Sequence, residues 1–153
     1  MAIRKLPSGT RGARTPPGLM GRVMTPVMVR VHRLSGNRFA GMDLLYLTTV
    51  GARSGQTRTT PVARFDDGSG GWLVVASAGG AATHPAWYHN IAAHPEDVRA
   101  EVGGVRHPVR VEQLDGDARD AAWRKIVERA PRFGGYEQKT DRSMPVLRLT
   151  PLD

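Results

Sequence analysis

Apolar residues first recur at helical spacing, then give way to short runs punctuated like strands. Leu19, Met20, Val23, Met24, Val27, Met28, Val31 and Leu34 follow the three-and-four spacing of a helix, with Arg22, Arg30 and Arg33 on its other side. Pro26 predicts a kink or a late start, and Ser35-Gly36-Asn37 ends the pattern. A stripe of this kind more often packs on its own domain than on an anionic membrane. Strands are predicted over residues 44–50 and 59–66, with a turn over 67–71 and a third, continuously apolar strand over 72–77. A small-residue loop, 78–83, leads to Thr83 as the cap of a helix that begins at His84-Pro85. That helix runs through Trp87, Tyr88 and Ile91 to His94-Pro95. Residues 98–102 and 105–114 read as a hairpin across Gly103-Gly104. A helix follows 115–117 and reaches Ala130, with Ala118, Ala122, Ile126 and Ala130 on one face and Pro131 as its stop. A short irregular or helical piece, 132–142, precedes the last strand, 146–149.

Strands joined by tight turns favour antiparallel pairing. The expected fold is therefore mainly β (α+β), a sheet of about six strands curled into a small barrel with flanking helices, which removes most exposed edges. Residues 1–18 hold Pro, Gly, Arg, Ser and Thr with little apolar content and read as a flexible basic tail. Residues 19–153 read as a single domain that includes the N-terminal amphipathic helix, with no internal repeat.

Composition narrows the chemistry. The chain has 153 residues and no cysteine, which excludes disulfides, thiolate nucleophiles and cysteine metal sites. It has no apolar run long enough to span a bilayer and no signal-peptide core. A formal charge of +8, mostly from arginine, implies affinity for anions. No His-x-Glu or His-Glu-x-x-His pattern supports a metal site, and no Gly-x-Ser-x-Gly elbow supports a hydrolase. Aromatics interleaved with basic residues, which a nucleic-acid face needs, are missing.

What remains is a binding constellation. The stretch Thr48-Thr49-Val50-Gly51-Ala52-Arg53-Ser54-Gly55-Gln56-Thr57-Arg58-Thr59-Thr60-Pro61-Val62 reads as strand, basic glycine loop, strand. Glycines let backbone approach a ligand, successive amides form anion nests, and arginine forks match phosphate or carboxylate oxygens. The same loop also fits a plain hairpin with solvated arginines. Ser77-Ala78-Gly79-Gly80 closes a buried strand with a backbone nearly free of side chains, suited to a flat ring or simply flexible. Trp87 and Tyr88 fit either core anchors or pocket walls. Tyr136, on a segment that reads as mobile, fits a lid phenol or a surface residue.

Gly51-x-Arg53-Ser54-Gly55-x-x-Arg58-x-x-Pro61, Ala76-Ser77-x-Gly79-Gly80, His84-Pro85-x-Trp87-Tyr88-x-Asn90 and Tyr136-x-x-x-Thr140-Asp141-Arg142 together resemble the deazaflavin-dependent nitroreductase family of actinobacteria. The match runs from about residue 44 to 151. The resemblance implies a split β-barrel of the FMN/F420-binding type and coenzyme F420, whose phospholactyl-oligoglutamate tail is a polyanion. It implies that Arg53, Ser54 and Arg58 hold that tail, within a loop that includes Gly51 and Gly55 and with Pro61 beside it. It implies that Ser77, Ala78, Gly79 and Gly80 line the ring, that Trp87 packs nearby, and that Asn90 supports its helix. The implied reaction is hydride transfer from the reduced deazaflavin to a quinone, nitroaromatic or conjugated enone, with Tyr136 and Ser77 as proton-donor or orienting residues. No metal is implied. The chain departs from relatives at Ala78, a place often basic, and at Ala130 and Phe133, where relatives often carry tyrosine. The alternatives are an FMN-dependent relative and a non-catalytic barrel that holds the deazaflavin or a lipid. A cytoplasmic protein is expected, a monomer with a small-molecule acceptor and no nucleic acid, touching the inner face of the membrane at most through its N-terminal helix.

Overall fold

The computed structural model describes residues 3–12, 38–39 and 42–152, so the helix predicted over 19–34 lies outside the described residues. The strands are β1 (Arg38–Phe39), β2 (Met42–Val50), β3 (Thr57–Ala63), β4 (Phe65–Asp66), β5 (Trp72–Val75), β6 (Arg99–Val102), β7 (Val105–Gln113) and β8 (Val146–Pro151). A 3-10 turn occupies Ala78–Gly80, and the helices are α1 (Ala86–Ala93), α2 (Gly116–Arg129) and α3 (Arg132–Lys139).

Among the described residues every strand pairing is antiparallel, in the order β1-β2-β6-β7-β8-β5-β4, and β3 also pairs with β2. The predicted strand over 59–66 is thus two pieces that bend at Arg64. Its first piece pairs with β2, its second with β5. One bent strand therefore touches both ends of the sheet, which curls it into the expected split barrel. Gly103 and Gly104 adopt φ of +58° and +84°, as a two-residue hairpin turn between β6 and β7 requires.

Two clusters explain why β5 reads as a continuous apolar run. Val74 and Ala76 face the barrel interior with Leu45, Leu47, Val98, Ala100, Val109, Val111, Leu147 and Leu149. Leu73 and Val75 face the other way, onto Phe65, Ile126, Phe133, Met144 and Val146. A strand covered on both faces has no polar alternation to show. Of the face predicted for α2, Ala122, Ile126 and Ala130 are buried and Ala118 is exposed.

Two expectations need correction. Thr83 does not cap α1: the residue at the cap is Pro85, extended at φ −64° and ψ 153°, and no side chain bonds the first turn. Residues 3–12, read as part of a mobile tail, instead lie against the barrel. Ile3 enters the interior cluster. The Tyr88 hydroxyl accepts from Leu6 N at 3.1 Å and donates to Gln113 Oε1 at 2.6 Å, while Gln113 Nε2 donates to Arg4 O at 2.9 Å. Composition misled here because the partners of this segment are single side chains and backbone groups far along the chain, not a local apolar pattern.

Candidate functional site

The arginine loop is built by β2, β3 and α1. Gly51 N donates to Gln56 O at 2.8 Å and Gly55 N to Gly51 O at 3.0 Å, closing a tight turn in which Gly55 holds φ +68°. That conformation costs glycine little and any other residue about 1 kcal/mol or more. Asn90 then pins the loop from α1: its Oδ1 accepts from Ala52 N at 3.0 Å and its Nδ2 donates to Thr49 Oγ1 at 3.1 Å. Asn90 is buried, and its bond to Thr49 is sheltered from water. Its role is to tie α1 to the loop, more than to support its own helix.

With the backbone held, Arg53, Ser54 and Arg58 are left exposed at the rim. Among the described residues neither arginine pairs with a carboxylate. The Ser54 hydroxyl turns back to accept from Gln56 N at 3.2 Å. Pro61 stands opposite Tyr46 on β3, where a residue without an N–H is tolerated because β3 pairs on one side only. The rim is electropositive beyond its arginines. His89 on α1 is held below its ordinary pKa of 6.5 first by burial and then by the positive charges of Lys5 and Arg53.

The second part is the turn after β5. Ala78, Gly79 and Gly80 all take the left-handed conformation, with φ of +47°, +63° and +85°. A methyl group on Gly79 would meet no heavy atom within 4 Å, whereas one on Gly80 would stand 2.9 Å from the carbonyl oxygen of Tyr136. Gly79 thus faces open space, and Gly80 lets α3 pack directly on the turn. The structure brings Tyr136 to the turn in this way, on a helix where the sequence suggested a mobile segment. Its half-buried ring stands edge-on to Phe133 at 5.3 Å between centroids.

Arg142 holds this turn. The side chain is 3% exposed. Its Nε donates to Ala81 O at 2.9 Å, Nη1 to Ala76 O at 2.9 Å, and Nη2 to Ser77 O at 2.6 Å. Nη1 also lies 2.8 Å from His84 Nδ1. Since guanidinium can only donate, His84 accepts at Nδ1 and carries its proton on Nε2, which donates to Leu6 O at 2.7 Å. Burial, followed by the charge of Arg142, holds the His84 pKa below 6.5, consistent with a neutral ring. The buried cation spans both sides of the left-handed turn. Thr140, Asp141 and Arg142 were visible as a motif, but nothing in the sequence says that an arginine will be buried or which carbonyls it will bind.

Trp87 is 6% exposed and fills the interior cluster with Tyr88 and Ile91. It supports α1 beneath the rim, as a core anchor. A recess of about 310 Å³ lined by Arg119, Glu137, Thr140, Asp141, Arg142, Ser143 and Met144 includes neither the arginine loop nor the turn. Among the described residues no helix is long and apolar enough to cross a membrane.

Comparison with known proteins identifies the family of the chain. The family model for F420H(2)-dependent quinone reductase matches residues 20–151, leaving the segment at 3–12 outside the match. An F420H(2)-dependent quinone reductase of Mycobacterium tuberculosis is 39% identical over 119 residues, covering 75% of this chain and 78% of the relative. A solved structure described as an F420-H2 dependent reductase superimposes with a TM-score of 0.62 at 36% identity, covering 69% of this chain and 92% of the other. Another, described as a domain-swapped dimer, gives a TM-score of 0.63 at 33% identity over 80% and 96% of the two chains. A heme storage protein of Vibrio cholerae, at 14% identity and a TM-score of 0.52 over 83% and 89% of the two chains, shares the fold alone. The FMN and lipid-binder alternatives give way, and the monomer expectation finds no support beside a domain-swapped neighbour. The chain belongs to the F420H(2)-dependent quinone reductase family, oxidoreductases whose cofactor is coenzyme F420.

Proposed function

We propose that this protein reduces a quinone, or a related electron-poor acceptor such as a nitroaromatic or conjugated enone, with the polyanionic tail of coenzyme F420 on the arginine loop and its ring against residues 77–80. The observation that carries this reading is the pairing of two prepared surfaces. One is a pinned loop whose arginines have no carboxylate partner among the described residues; the other is a left-handed turn whose middle glycine faces open space. Both fit the group. Unpaired guanidinium forks suit phosphate and glutamate oxygens, and a backbone without side chains suits a flat ring.

When bound, the reduced coenzyme supplies the hydride. The protein's part is to bind, orient and protonate. Arg53 and Arg58 fix the tail by charge. Arg142 keeps the Ala78–Gly80 turn in one conformation, so ring and acceptor meet without reorganisation. Tyr136 and Ser77 are the proton-donating or orienting candidates: after two electrons and one proton arrive as hydride, a quinone takes one further proton to become hydroquinone. α3 packs against the turn at Gly80 and leaves Gly79 open. The acceptor is a small molecule, and the setting is the cytoplasm.

The test is a titration with oxidised coenzyme F420, followed by tryptophan quenching, for wild type and Arg58→Ala. Saturable binding that weakens about tenfold or more in the variant, and more at low salt than at high, is expected. Menadione reduction by the reduced coenzyme then follows. Binding indifferent to Arg58 would sink the assignment of the tail to this loop.

A further inference from the structure

The segment at 3–12 lies outside the stretch shared with the family, yet it crosses the back of the ring-binding turn. Gly9 N donates to Ala82 O at 2.7 Å. A methyl group on Gly12 would overlap Ala82 N, Gly80 O and the carbonyl carbon of Ala81, so this glycine lets the two backbones touch. A methyl group on Gly9 would come within 2.9 Å of Arg142 N and Cβ. Asp141 grips the segment from the exposed side, its carboxylate accepting from Thr10 N at 2.8 Å, Arg11 N at 3.3 Å and the Thr10 hydroxyl. Thr140 Oγ1 donates to Arg11 O at 2.7 Å. Farther back, Leu6 O takes the Nε2 proton of His84, whose Nδ1 faces Arg142.

We propose that residues 3–12 are a strap that positions the ring-binding turn, pressing on it directly through Gly12 and acting on its far side through His84 and Arg142. The strap and Arg142 both hold this backbone: Arg142 draws in the carbonyls of Ala76, Ser77 and Ala81, and Gly9 and Gly12 lie against residues 80–82. Three left-handed residues in succession, one of them alanine, are a conformation that a free loop would leave. A strap bonded at Arg4, Leu6, Gly9, Thr10 and Arg11 supplies restraint from outside the matched stretch 20–151. Its residues are positioning residues. None is assigned to the coenzyme or the acceptor.

The inference rests on the reading that residues 77–80 line the ring, and the experiment separates the two. Hydrogen–deuterium exchange is measured on the ligand-free full chain for wild type, Gly12→Val and Asp141→Ala, beside coenzyme F420 titrations of the same proteins and of Arg58→Ala. Gly12→Val is expected to raise exchange at the amides of Gly80 and Ala81 by about tenfold or more, with β6 and β7 unchanged, and to weaken the coenzyme about fivefold or more. Asp141→Ala, which touches only an exposed grip, gives the same pattern at smaller amplitude and serves if the valine variant does not fold. Unchanged exchange at the turn in both variants overturns the strap. Faster exchange with unchanged coenzyme affinity, while Arg58→Ala still weakens binding, overturns the link from strap to cofactor. No coenzyme binding in the wild type overturns the functional reading, and the exchange data still decide the positioning role.

Discussion

In the function proposed above, the arginine loop and the turn at residues 77–80 would face the same task by opposite means. In the loop the functional groups are side chains, and the backbone only has to present them. Its support is one neutral residue, Asn90, with two hydrogen bonds from a neighbouring helix. In the turn the functional surface is the backbone itself, so everything that shapes it must come from elsewhere. Its support is a buried cation 61 to 66 residues away in sequence, a histidine fixed in one tautomer, and a strap from the N-terminus. A site that uses side chains tolerates light support; a site that uses backbone needs dense support.

The comparison is broken most severely at Arg142. Arg142→Met would leave the carbonyls of Ala76, Ser77 and Ala81 without their donors, and a loss of about 3 kcal/mol or more is expected. A urea midpoint lowered accordingly checks it, with Arg142→Lys recovering part of the loss because it keeps the charge but not the fork. A midpoint within experimental error of wild type would mean the turn stands without its cation.

Tyr136→Phe sharpens the functional side of the turn. Turnover with menadione is expected to fall about tenfold or more, with coenzyme affinity nearly unchanged. Loss of affinity with turnover intact would instead make Tyr136 a binding residue.

On the loop, Asn90→Ala removes both bonds to Ala52 and Thr49 and is expected to cost about 1–2 kcal/mol. Coenzyme binding should weaken along with it, since the arginines lose their fixed base. Turn exchange should not move. Faster exchange at the turn would show that the two regions are not separately supported.

The smallest effect is a pH dependence at His84. In the fold its Nδ1 faces Arg142, its Nε2 bonds Leu6 O, and the rings of Tyr88 and His89 lie 4.8 and 5.9 Å away. A proton at Nδ1 would meet the guanidinium donor. The folded pKa is depressed, so its stabilising contribution is full above 6.5 and is lost as pH falls from 6.5 toward the lower folded value. Urea midpoints at about pH 7.5 and about pH 5.5 should differ more in wild type than in His84→Gln. Equal differences would remove His84 from the network. Asp141 acts later: its carboxylate is held at about 2 chiefly by the Thr10 hydroxyl and amide, so its stabilising contribution is full above 3.8 and is lost as pH falls from 3.8 toward about 2.

From residue 42 onward the sequence by itself determined the order of the main elements, the Gly103-Gly104 hairpin, the antiparallel pairing and the basic loop. These follow from local periods, turn residues and charges, which act over a few positions. It also marked Ser77 to Gly80 as a backbone surface. Only the tertiary structure decided what holds that surface. Arginine is nearly always exposed, and Arg142 is buried here because four acceptors from distant residues converge on it. Residues 3–12 read as a tail because they carry few apolar groups, and they are ordered because Tyr88, His84, Gln113 and Asp141 wait for their backbone. Convergence of polar partners across the chain leaves no periodic trace, so it is decided only when the chain has folded.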